Sequence, residues 1–74
     1  MTHFPLHRAK SGDRAFVASV DATDSRVERL AAMGILPGVE LVVLQTQPVV
    51  IVQVDETVLA MEVSLAESVQ VATS

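Results

Sequence analysis

The sequence predicts a mainly β domain: a small barrel of about five short strands, with one short α-helix inserted after the first strand and one helical turn before the last. Three observations lead there. Valine is concentrated after Val39, and its branched Cβ suits pleated backbone better than helix. One stretch, residues 25–34, carries apolar residues at helical spacing between a start and a stop signal. Half of the 74 residues are hydrophobic, only Phe4 and Phe16 are aromatic and none is cysteine. One compact aliphatic core therefore has to hold the chain without disulfides.

Residues 1–10, with His3, Pro5, His7, Arg8 and Lys10, keep no sustained period and read as a lead-in segment to a single domain over 11–74, Phe4 and Leu6 being its candidates for the core. Gly12-Asp13 is a turn signal, and Arg14–Val20 sets Phe16, Val17 and Val20 among small alanines as a first strand. After the polar stretch Asp21–Asp24, Ser25-Arg26-Val27-Glu28 fits a capping box. The helix that starts there shows Val27, Leu30 and Ala31 on one stripe and runs for about two and a half turns. Gly34 stands where a left-handed C-terminal cap belongs, which turns Ile35 back onto the core. Pro37-Gly38 has the residue order of a type II turn and feeds a strand at Glu40.

Glu40–Thr46 and Val49–Val54 follow as two strands joined through Gln47-Pro48, where Pro48 marks the hairpin end or an edge. Both faces of this hairpin are apolar. Leu41 and Val43 alternate with Val42 and Leu44, and Val49 and Ile51 with Val50 and Val52, so one face closes over the core and the other needs a cover: the helix, residues 1–10, or another molecule. Asp55-Glu56-Thr57 is a polar turn, Val58–Met61 a fourth strand, Ser64-Leu65-Ala66-Glu67 a second capping-box pattern opening one helical turn, and Val69–Val71 the last strand. That order describes an SH3-like barrel.

The composition excludes several kinds of function. Five Lys and Arg stand against nine Asp and Glu, and no Tyr or Trp offers a stacking platform, so nucleic acid is not an expected partner. The longest aliphatic run, Val49–Val52, is far short of the ~20 residues that cross a bilayer, and Met1–Lys10 has no signal-peptide core. A cytosolic chain without membrane insertion is the expectation. There is no phosphate-cradling glycine motif and no base beside a nucleophile, so the chain does not read as an enzyme. Asp21, Asp24 and Glu28 gather three carboxylates near the helix start and could hold a hard divalent cation weakly, although helix-dipole capping accounts for acidic residues there. His3, with the Met1 amine and two backbone nitrogens, could bind Cu(II) or Ni(II) in a square plane. Arg26, Arg29 and Met33 form a second helical stripe, a docking face or a solvated one. With Ile35 at the corner and Val50 and Val52 on the hairpin, they are the candidate partner-binding residues, for a protein partner or for self-association.

RLAAMGILPGVELVVL, residues 29–44, resembles the signature of the FeoA family of small cytosolic proteins of bacterial ferrous iron uptake: an Arg-Leu pair, a short helix ending in Met-Gly, an aliphatic residue, Pro-Gly and a strand. The likeness extends upstream through Gly12-Asp13-Arg14-Ala15 and downstream through Val58-Leu59-Ala60, Leu65-Ala66 and Val69–Val71. It implies an SH3-like fold and a non-enzymatic accessory role, binding or modulating the GTPase part of the FeoB membrane permease. A metal-responsive carrier or sensor is the alternative. The tail VLAMEVSLAESVQV also resembles the SH3-like C-terminal domain of metal-dependent repressors, whose helix-turn-helix and upstream ligands find no room here. Two features depart from the family pattern: the hairpin loop Gln45-Thr46-Gln47-Pro48 is short, and Met61-Glu62 carries an acidic residue where a basic one is common.

Overall fold

The computed structural model describes residues 2–73, Asp24 by its backbone alone. Six strands, β1 (Phe4–Pro5), β2 (Arg14–Val20), β3 (Glu40–Gln45), β4 (Val50–Val54), β5 (Thr57–Met61) and β6 (Val69–Thr73), are joined by helices α1 (Asp24–Ala32) and α2 (Val63–Ala66) and by a 3-10 turn over Leu6–Arg8. All pairings are antiparallel, in the order β1-β6-β2-β3-β4-β5. The mainly β reading with one inserted helix and a helical turn before the last strand therefore holds. The lead-in segment adds a sixth strand, because Phe4 and Pro5 pair with Val71 and Gln70. The sheet stays open: among the described residues β1 and β5 are its two edges.

Register decides the question the hairpin left open. In β3 and β4, Leu41, Val43, Val50 and Val52 turn inward and are fully buried with Ala15 and Val17 of β2, Met61 of β5 and Val69 and Val71 of β6. Leu6, Leu30, Ile35, Leu65 and Ala66 close this core from the turn, the helix and its exit, and α2. Their partners across the pleat, Val42, Ile51 and Val58, share the outer face. Shifts of register in β2 between Val17 and Ser19, and in β3 between Val43 and Gln45, are bulges, and the second sets Gln45 rather than Leu44 opposite Ile51.

Both capping boxes are corrections. The chain is already helical at Ser25 and Ser64, and the caps are Thr23 and Glu62, in extended backbone and without a side-chain cap bond. A serine can cap only where its own backbone is still extended; Ser25 instead sets its Oγ 3.3 Å from Thr23 Oγ1. Helical spacing was also optimistic for Val27, which is exposed while Leu30 is wholly buried.

The exit of α1 follows the expected chemistry closely. Gly34 has φ +85°, its N–H donates to Ala31 O at 2.9 Å, and the Ile35 N–H reaches back to Leu30 O at 2.8 Å. These two bonds, with Ile35 and Leu30 both in the core, make a Schellman motif. Leu36-Pro37-Gly38-Val39 then closes with a 3.1 Å bond from Val39 N to Leu36 O, Gly38 taking φ +92° at the third position as a type II turn requires.

Candidate functional site

The corner between α1 and β3 is held on two sides. The Gly38 N–H donates to Val17 O at 2.8 Å and the Val17 N–H to Val39 O at 2.9 Å, so the turn is fastened to β2 and leaves Leu36, 46% exposed, at its outer tip. Sequence reasoning passed over Leu36; an aliphatic residue just before Pro-Gly, one place beyond the core residue Ile35, was the available signal.

Arg26 and Arg29 do reach out from α1, but toward the chain's own α2 region. Arg26 Nη1 donates to Ser64 O and to the hydroxyl of buried Ser68, each at 3.2 Å, and Arg29 Nη2 lies 3.2 Å from Glu62 Oε1. The first-turn arginine that opposes the helix dipole is thus kept as a clip between two elements far apart in sequence. The acidic residue at position 62 finds its cation in Arg29. Its own backbone N–H first, then the Arg29 guanidinium, hold the Glu62 carboxyl below its ordinary pKa.

Of the other candidate partner-binding residues, Met33 is half-buried against the core, and Ile35, Val50 and Val52 are core residues with no surface to offer. The pleat has two parities, and the hairpin packs inward the one assigned to the partner. The outward set comprises Val42 and Ile51, half-buried, and Leu44, Val49 and Val58, exposed. Beside it a shallow groove is lined by Arg14, Glu40, Val42, Gln53 and Asp55, with Arg14 Nη1 3.6 Å from Glu40 Oε1.

Asp21, Glu28 and His3 are exposed, and among the described residues no group of three or more His, Cys, Asp or Glu side chains is placed to hold an ion. The Asp24 side chain and Met1, on which the two metal readings depend, lie outside the described residues. The structural turn residues Gly34, Pro37 and Gly38 come together as the corner itself.

The FeoA domain profile matches residues 4–73, almost the whole chain, including the strand and turn of the lead-in segment. The chain belongs to the FeoA family. A solved iron uptake regulatory protein (FeoA) superimposes with a TM-score of 0.92 over 100% of both chains at 26% identity. The FeoA protein from Chlorobium tepidum gives 0.84 at 33% identity, over 95% of this chain and 70% of its own. T. acidophilum IdeR gives 0.93 at 19% identity over 100% of this chain but only 35% of IdeR, a likeness of fold alone. A comparison with curated proteins finds no match. Membership of the FeoA family supports an accessory role in ferrous iron transport. Among the described residues no helix is long and apolar enough to cross a membrane.

Proposed function

We propose that this chain is a non-enzymatic accessory of ferrous iron uptake that works by protein contact, binding the cytosolic GTPase part of a FeoB-type permease. The observation that carries the reading is the family match over residues 4–73, on a chain that leaves apolar side chains in solvent: Leu36 at the corner, Leu44 and Val49 on the hairpin and Val58 on β5. Apolar side chains left exposed on a small domain favour a protein partner over a small ligand.

Co-purification with the cognate permease, with and without guanine nucleotide, tests it. Association with the native chain is expected, and Leu36→Asp and Leu44→Asp, whose sites are solvent-facing, should weaken it and lower iron uptake while the melting temperature stays put. No association under either condition, or normal uptake with both variants folded, overturns the reading.

A further inference from the structure

The two edges of the sheet are finished differently. β1 is two residues long and ends in Pro5, which shortens and blocks that edge. β5, Thr57-Val58-Leu59-Ala60-Met61, has neither proline nor charge, pairs only with β4, and makes no other backbone bond among the described residues. Val58, 59% exposed, and Ala60 stand open on it.

The register says which backbone groups are free. Asp55 and Glu56 are the two residues between the paired Val54 and Thr57, and such a connection closes on a hydrogen-bonded pair. Hydrogen-bonded and non-bonded pairs then alternate, so Thr57, Leu59 and Met61 spend their N–H and C=O groups on β4 while Val58 and Ala60 turn theirs outward. We propose that β5 accepts an added strand: an extended segment of another protein, apolar or β-branched over five residues and flanked by Lys or Arg, pairing antiparallel with Val58 and Ala60.

Charge selects that occupant. A second copy of this chain using both outward residues would centre on Leu59, setting Glu56 opposite Glu62 of the other copy at each end, and like charges directly opposite oppose pairing. The same two carboxylates flanking a neutral strand attract a segment with a cation at each end; Arg29 already engages Glu62 but leaves that carboxylate exposed, and Glu56 has no partner among the described ion pairs. This inference concerns how a strand is captured and does not depend on which protein supplies it, so it stands or falls separately from the permease reading.

The probe is an acetylated and amidated peptide, Lys-Val-Thr-Val-Thr-Val-Lys, titrated into the native chain with amide NMR shifts and hydrogen exchange as readouts. Saturable shifts and slowed exchange centred on the Val58 and Ala60 amides are expected, and replacing both lysines by glutamates should weaken binding about tenfold. Ala60→Pro removes an outward N–H without touching the β4 ladder and should abolish binding with the spectrum otherwise native; Val58→Pro serves if that variant does not fold. The proposal is overturned if peptide up to millimolar concentration leaves these amides unchanged. It is equally overturned if Ala60→Pro binds as well as the native chain, or if the same amides become protected by concentration alone, which would make the occupant a second copy.

Discussion

Gly34 shows how much of the corner rests on one backbone angle. A Cβ built there would meet nothing within 4 Å, so a substitution costs only what the left-handed conformation itself costs an L side chain. Gly34→Val should therefore destabilise by more than about 1 kcal/mol, lowering the melting temperature of a domain this size by about 4 °C or more, while Gly34→Asn, whose side chain tolerates that region, should lose less. Calorimetry on the two variants checks the order; equal losses would mean that something other than φ is at stake. Glycine before an aliphatic residue at the end of a helical period made this position readable from the chain alone. The serine caps were misplaced for a related reason: the pattern Ser-x-x-Glu says nothing about the φ and ψ of the serine, and Thr23 and Glu62 hold the extended backbone instead.

Between elements, the tie from α1 to α2 carries a charge and hence a pH dependence. Glu62 titrates below its ordinary value in the folded chain; a carboxylate depressed by folding adds stability that is complete above its unfolded pKa and is lost as pH falls through the lower folded one. The melting-temperature difference between the native chain and Glu62→Gln should thus be constant near neutrality and shrink toward zero as the solution is acidified through the glutamate range. Because both partners are more than half exposed, salt should shrink it too. None of this was legible in the sequence. Arg26 and Arg29 gave away their shared stripe, but Ser64, Ser68 and Glu62 lie more than thirty residues on, and no local period connects them. Strand parity escaped for a different reason: with both hairpin faces apolar, Val50 and Val52 were as eligible for the surface as Val49 and Ile51, and only their place in the core shared with Leu30 and Leu65 separates them.

For the molecule as a whole, small size sharpens every loss from the core. At roughly 0.05–0.15 kcal/mol per residue the chain's total stability is on the order of 4–11 kcal/mol, and Leu65→Ala, at a fully buried site, should remove about 2–5 kcal/mol of it. Urea titration should show the midpoint falling sharply with the slope unchanged; an unaltered midpoint would place α2 outside the cooperative unit. The pairing of Phe4 with Val71 and Pro5 with Gln70 has a practical corollary. Head and tail of the polypeptide run shoulder to shoulder, about 5 Å apart, on the side of the sheet that lies farthest in strand order from Thr57–Met61. Fluorophores placed beside Phe4 and Val71 would report unfolding through loss of energy transfer.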